Sequence, residues 1–344
     1  MIDAGAEFGA IERAVERGAF VQRTSLMGTV VTIIVLEATD ADASNARPVV
    51  ERALDWFRQV EAGCSRFNAD SELSRLCAPE QVGAPIVVSV MLLEAVRFAL
   101  ALAEETGGAF DPTVGHRMEA AGFNVDYRTG KRHRTLDGGP PVHPSTRPPS
   151  YKDVQLDAEN RTITLMRPLM LDLGAVAKGM AVDLAARELS PFGNFAIDAG
   201  GDAFVRGANS EDGSWRVGIR HPRDGTQLLE TLAVRDAAVC TSGDYERRDD
   251  EGRHHVLDPR NGASADACAS VTVIAPTAMV ADGLATAAFV LGPRDGLSLI
   301  EANGAEGLIV TPALDRVETP GFRAFVTQTN PARTIADGDG TAAR

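Results

Sequence analysis

The stretch Leu171-Asp172-Leu173-Gly174-Ala175-Val176-Ala177-Lys178-Gly179-Met180-Ala181-Val182-Asp183 constrains this chain more than any other. It reads as a strand end, a tight glycine turn and the first turns of a helix, with Val176, Met180 and Leu184 on one helical face. A helix N-terminus carries unpaired N–H groups and a partial positive charge, so it is a natural seat for an anion. Lys178 sits in that first turn, where a cation opposes the helix dipole and calls for a partner such as a phosphate or a carboxylate. An ordinary strand-turn-helix connection with a surface lysine is the other reading of the same residues.

The flanking segments argue for an α+β fold, largely antiparallel sheets with packed helices. Thr29 to Leu36 is β-branched and apolar, as a buried strand is, and Met27-Gly28 before it is a point of close backbone approach. Pro48 is expected to open a helix running to about Ala62. Asp70 or Ser71 is expected to cap a short helix through Leu76. Val90 to Thr106 is amphipathic, with Leu92, Val96, Ala99 and Ala103 along one side and Gly107-Gly108 at its end. Asp153 to Leu156 and Thr162 to Met166 form a hairpin signal. Short strands are expected at Phe195 to Ile197, Ala203 to Val205, Trp215 to Arg220, Leu228 to Val234, Ala238 to Thr241 and Ser270 to Ala275. Helices are expected at Thr277 to Leu291 and Leu297 to Ala302, and last strands at Leu308 to Val310 and Phe322 to Val326. The division expected is a flexible leader over 1–24, a folded domain over 25–328 with 116–150 as a loop or insertion, and a disordered tail over 329–344.

Charge and composition narrow the function classes. A formal net charge of -14 and no sustained run of Lys and Arg argue against a nucleic-acid partner. The interrupted cluster from Arg128 to Arg134 reads as a solvated face. Cys64, Cys77, Cys240 and Cys268 make no C-x-x-C pair, which speaks against a structural zinc site or a disulfide scaffold. No apolar run is long enough to span a bilayer, and the start of the chain has neither a basic segment nor an apolar core. A cytoplasmic location is the expectation. Neither G-x-x-x-x-G-K-[ST] nor a strand–G-x-G-x-x-G–helix unit occurs, so a nucleotide site here is of another kind.

Two further segments carry chemistry. Asp282 and Thr286 lie four apart on an otherwise apolar helix. A carboxylate there is either solvent-exposed or partnered, and a hard cation such as magnesium suits one carboxylate with a hydroxyl and phosphate oxygens. His254-His255-Val256-Leu257-Asp258-Pro259-Arg260-Asn261-Gly262 reads as a strand running into a turn. Adjacent strand residues face opposite ways, so one histidine at most faces a given pocket, as a general base or as a hydrogen-bonded strand end. Thr241-Ser242-Gly243-Asp244-Tyr245 offers hydroxyls to a phosphate or a ligand wall, which makes Ser242 and Gly243 binding candidates.

These blocks together resemble the ApbE family, the FAD:protein FMN transferases. The match runs from about Met27 to Val326. It takes in Met27-Gly28-Thr29, Ser65-Arg66-Phe67 with Asp70-Ser71-Glu72, Gly108 to Gly115, Asp172-Leu173-Gly174-x-x-Ala177-Lys178-Gly179, Gly200-Gly201, Thr241 to Tyr245, His255-x-x-Asp258-Pro259-x-x-Gly262 and Ala281-Asp282-x-x-x-Thr286. The resemblance implies a two-lobed, T-fold-related architecture with FAD in the cleft. It implies transfer of the FMN half of FAD to a Thr or Ser hydroxyl of an acceptor protein bearing a D-G-x-[ST]-G/S-A-T-like motif, with release of AMP. It assigns FAD contacts to Met27, Phe67, Ala109, Phe110, Asp111, Asp172 and Lys178. Magnesium falls to Asp282, Thr286 and the Ala175 carbonyl, and the base to His255. A metal-dependent FAD pyrophosphatase, with water replacing the acceptor, and a non-enzymatic FAD-binding protein are the alternatives. Two departures stand out: Phe67 lacks the hydroxyl common at its position, and Gly283 interrupts the metal helix at a cost of about 1 kcal/mol relative to Ala.

Overall fold

A computed structural model describes residues 19–36, 40–123, 147–209, 213–246 and 253–327. Its centre is an eight-stranded antiparallel sheet in the order β1-β2-β6-β7-β10-β11-β12-β13. The strands are β1 (Phe20–Leu26), β2 (Thr29–Val35), β6 (Phe195–Ala199), β7 (Ala203–Arg206), β10 (Ala237–Gly243), β11 (Ser270–Ala275), β12 (Glu306–Val310) and β13 (Arg316–Glu318). Side chains alternate between two cores, as strand geometry requires. Val31, Ile33 and Val35 face one way, with Ala238, Cys240, Val271, Val273 and Ile309. Val205, Val239, Ile274, Leu308 and Val310 face the other.

The first face is covered by helices: α1 (Asp40–Cys64), α3 (Val90–Glu105), α5 (Gly174–Glu188), α6 (Ala278–Leu291) and α7 (Pro293–Ala302). The second is covered by a ribbon of β8 (Trp215–His221) and β9 (Asp224–Val234), whose Trp215, Val217, Ile219, Leu232 and Val234 fill that core. A small sheet, β3 (Ile86–Val87), β5 (Thr162–Leu165) and β4 (Val154–Asp157), lies before α5 in the chain. Two short helices, α2 (Glu72–Leu76) and α4 (Gly115–Ala120), complete the described elements used below. The α+β class with antiparallel sheets is as the sequence indicates.

Several boundaries differ from the sequence reading. β1 begins at Phe20, inside the stretch read as a leader, and pairs with all of β2 through a turn whose Met27 and Gly28 both have positive φ (51° and 71°). The helix expected to open at Pro48 already runs from Asp40, so Pro48 lies within α1. The alanines at 41, 43 and 46 favour helix over that first stretch, and the ring is accommodated at the loss of one backbone bond. Ser71, rather than Asp70, caps α2, accepting from the Ser74 amide. Phe322 to Val326 is not a strand but a 3₁₀ turn (Phe322–Ala324) ending in one bridge from Val326 to Leu232. The last strand is β13 instead. Residues 116–120 of the expected loop belong to the helix α4, while 124–146, 1–18 and 328–344 lie outside the described residues, with the expected tail among them. The four cysteines are free. Among the described residues no helix is long and apolar enough to cross a membrane.

Candidate active site

α5 and α6 cross closely because Gly179 has no side chain: a Cβ there would stand 2.5 Å from the Ala278 carbonyl oxygen. Asp183, one turn further along α5, accepts from the Ala278 and Met279 amides at 2.7 and 3.0 Å and so satisfies the first turn of α6. Gly283 lets α3 approach, since a Cβ would meet Phe98 at 2.8 Å and Leu102 at 3.1 Å. The glycine inside α6 is therefore explained by a packing contact. This crossing brings Ala175, Lys178, Asp282 and Thr286 to one wall of a cavity of about 590 Å³, well within the range of small-molecule sites.

Lys178 is the charge centre of that wall. Its ammonium lies 2.7 Å from Asp202, 3.1 Å from Asp282 and 3.3 Å from the Gly174 carbonyl. Burial first, and then the neighbouring Asp202 charge, pushes the Asp282 carboxyl well above its ordinary value. Lys178 and the Gly179 amide pull it back. Thr286 shares a hydrogen bond with the Ser242 hydroxyl at 3.1 Å, which fixes the direction of both. Asp172 accepts from the Gly174 amide at 2.8 Å at the start of α5 and pairs with Arg66 at 2.5 Å.

The opposite wall is irregular chain. His255 lines the cavity, while His254 is buried, bonded through Nε2 to the Ala265 carbonyl at 2.7 Å and set edge-on to Phe289. The expected strand over these histidines is reduced to a bridge between Leu257 and Ser264. Adjacent residues of this loop still face apart, so the pair divides into one cavity residue and one core residue. The turn after them is held by side chains. Arg117 donates to the Pro259 carbonyl at 2.6 Å, and Arg260 makes two bonds of 2.9 Å to Asp258.

Of the residues singled out in the sequence, Phe67, Ala109, Phe110, Asp111, Asp172, Ala175, Lys178, Ser242, His255, Asp282 and Thr286 line this one cavity. Met27 does not. It lines a smaller cavity of about 90 Å³ that shares Arg66, Phe67, Asp172, Gly174 and Lys178 with the first. Gly243 does not line either: a Cβ there would strike the Tyr245 ring at 2.5 Å, and Tyr245 is the lining residue. Asp111 is anchored by the Thr113 amide and hydroxyl at 2.9 and 2.8 Å and by the Tyr151 amide at 3.0 Å. Burial still leaves its carboxyl above the ordinary value. Asp202 and Arg66 were given no role from the sequence. Asp202 directly follows the Gly200-Gly201 pair, and a buried acid beside a glycine turn is the signal that marks it.

A model of the ApbE family matches residues 27–309. The chain belongs to the ApbE family. That match takes in every cavity residue named above, and it leaves all of β1 and everything after Ile309 outside. ApbE relatives named FAD:protein FMN transferase include that of Treponema pallidum, 33% identical over 293 residues, covering 78% of this chain and 79% of the relative. That of Haemophilus influenzae is 31% identical over 282 residues, covering 78% and 80%. Among solved ApbE structures, the protein from Thermotoga maritima superposes with a TM-score of 0.76 at 29% identity, covering 90% of this chain and 100% of the other. The flavin transferase of Vibrio cholerae gives 0.73 at 28%, covering 89% and 99%.

Proposed function

We propose that this chain transfers the FMN half of FAD to a hydroxyl of an acceptor protein. The observation that carries the reading is a single cavity with a histidine on one wall and, on the other, a helix N-terminus beside Lys178, Asp282 and Thr286. The names of the relatives supply the substrate, and the cavity supplies groups suited to it.

The acceptor hydroxyl oxygen attacks the phosphorus on the FMN side of the pyrophosphate. A P–O bond forms there, and the bond to the bridging oxygen breaks, so the electron pair leaves with AMP. His255 takes the hydroxyl proton as that attack begins. The α5 N-terminus and Lys178 bind and orient the pyrophosphate, whose charge both favour. Phe67, Phe110 and the 109–111 turn form the apolar and polar walls that hold the rest of FAD and keep water from the phosphorus. The donor set of the Asp282 carboxylate, the Thr286 hydroxyl and the Ala175 carbonyl is all oxygen, as magnesium prefers. The ammonium of Lys178 lying 3.1 Å from Asp282 and 2.7 Å from Asp202 marks a place where positive charge is needed. Magnesium held there would neutralise the nonbridging phosphate charge. Ser242, bonded to Thr286, keeps that hydroxyl aimed. The acceptor is a protein with a D-G-x-[ST]-G/S-A-T-like segment, and its Thr or Ser is the nucleophile.

The test is incubation with FAD, magnesium and an acceptor bearing that segment, followed by a denaturing gel viewed for flavin fluorescence. A fluorescent acceptor band that chelator abolishes is expected. FMN and AMP accumulating without a labelled acceptor would overturn the transferase in favour of a pyrophosphatase.

A further inference from the structure

Arg66 lies between the two walls of the cavity. Its side chain is only 5% exposed and spends two donors in opposite directions. Nε bonds the Asp172 carboxylate at 2.5 Å, on the α5 side. Nη2 bonds the Phe123 carbonyl at 2.6 Å, on the far side. The guanidinium lies 4.0 Å over the Phe67 ring. Nη1 is buried with no hydrogen-bond partner. A buried donor left unmade is costly, so this arginine is not arranged for stability alone. Phe123, in turn, sets its ring edge-on to His255, with centroids 6.4 Å apart and planes at 69°.

We propose that Arg66 is a positioning residue for His255, acting through Phe123. It ties the chain after α4, at Phe123, to Asp172 at the start of α5, so the ring that backs the base is held to the same frame that seats the pyrophosphate. Two hydrogen bonds and one ring contact in series run from the start of α5 to the base: Asp172 to Arg66, Arg66 to the Phe123 carbonyl, and the Phe123 ring edge-on to the imidazole. A planar guanidinium spans Asp172 and Phe123 at once, whereas a lysine presents one point charge and reaches only one of them. The inference rests on the transfer reading for its kinetic consequence but not for its structural one.

The experiment compares the full chain with Arg66→Lys, Phe123→Ala, His255→Ala and the double variant Arg66→Lys/His255→Ala. Three quantities are read: the dissociation constant for FAD by fluorescence quenching, kcat for acceptor labelling, and the His255 ring-proton resonance in the free protein, assigned by its loss in His255→Ala. Arg66→Lys, read at saturating FAD because Arg66 itself lines the cavity, is expected to lose about 10- to 100-fold in kcat and to shift the His255 resonance as the Phe123 ring moves. Phe123→Ala is expected to show the same kcat loss. The double variant should be no slower than His255→Ala alone, because a residue acting through the base has nothing left to position. A merely structural arginine would lower the residual rate further.

Wild-type kcat in Arg66→Lys, an unchanged His255 resonance, or a multiplicative loss in the double variant overturns the proposal. If Arg66→Lys does not fold, Phe123→Ala decides, and an unchanged kcat there overturns it equally. Wild-type protein that labels no acceptor would count against the transfer reading. The resonance would still decide whether Arg66 holds Phe123 against His255.

Discussion

The two walls of the cavity are built by different means. The α5–α6 wall rests on regular helices whose crossing is set by Gly179 and whose ends are satisfied by Asp172 and Asp183. The His255 wall is irregular chain closed by a few backbone bonds of its own, Ala265 amide to Val256 and Asp258 amide to Ala263 among them, and held by single side-chain bonds: His254 to Ala265 from within it, Arg117 to Pro259 from α4, and Arg66 to Phe123 beside it. On the proposed transfer reading, binding charge falls on the stiff side and proton transfer on the side held by a few bonds. A wall made of packed helices fails only when the helices separate, whereas a wall made of single hydrogen bonds is retuned by losing any one of them.

The largest effect should come from the helical wall. Asp282→Ala removes a buried carboxylate from between α6 and Lys178, and the lysine then keeps Asp202 as its partner. The fold should survive, while acceptor labelling should fall by more than about 10³-fold, the scale expected when several kcal/mol of charge stabilisation is lost. Calorimetric titration with magnesium should show binding to the wild type with FAD present and none to the variant. Full labelling by the variant would remove Asp282 from the site.

On the loop wall the adjacent histidines should part ways. His255→Ala should keep FAD affinity and lose about 10²- to 10⁴-fold in labelling rate. His254→Ala should keep much of the chemistry per folded molecule but cost on the order of 2–4 kcal/mol, because it abandons the Ala265 carbonyl and the edge contact to Phe289. Denaturant unfolding and single-turnover labelling on the same preparations separate the two. The reverse assignment of effects would mean the loop runs with the other face to the cavity.

This division also governs what was legible in the sequence. The β-branched apolar run from Thr29 to Leu36, and the glycine turn before Val176, are local signals, and the elements they announce are present. The Asp282–Thr286 spacing was enough to place both on one helical face, because a helix fixes that relation without help. Pro48 misled because a proline that suits a helix's first turn also stands here inside one, and the residue alone does not tell the two apart. The choice between His254 and His255 depended on Ala265 and Phe289, eleven and thirty-five residues on from His254, and no periodicity carries such contacts. Arg66 was hidden for the same reason: its partners stand 106 and 57 residues away in sequence.

Arg117→Met should loosen the loop wall alone. Losing a charged donor to the Pro259 carbonyl is worth about 1.5–3 kcal/mol locally. Hydrogen exchange over residues 254–264 should quicken while exchange in α5 and α6 stays as in the wild type. Labelling should fall less than in His255→Ala, since the base is present and only less often in place. Equal quickening in α6 would show that the two walls open as one unit, and the contrast drawn between them would fail.

The smallest effect is one of sign. Asp183, on the helical wall, has its carboxyl raised by burial, with the Met279 and Ala278 amides only partly offsetting it. The folded chain therefore holds that proton more tightly than the unfolded chain. Its contribution grows as pH falls through the raised value towards the ordinary one of about 3.9. Burial also pushes up Asp258, on the loop wall, but the Arg260 guanidinium and amide outweigh it and hold the carboxyl below its usual range. Its contribution is present above about 3.9 and is lost as pH falls through the lowered value. Thermal unfolding of wild type, Asp183→Asn and Asp258→Asn across that range should give wild-type-minus-variant differences of opposite slope. For Asp183 the difference rises on acidification, and for Asp258 it falls. Through these two carboxylates acid weakens the loop wall and not the helical one, and two slopes of the same sign would contradict the burial and pairing assigned to them.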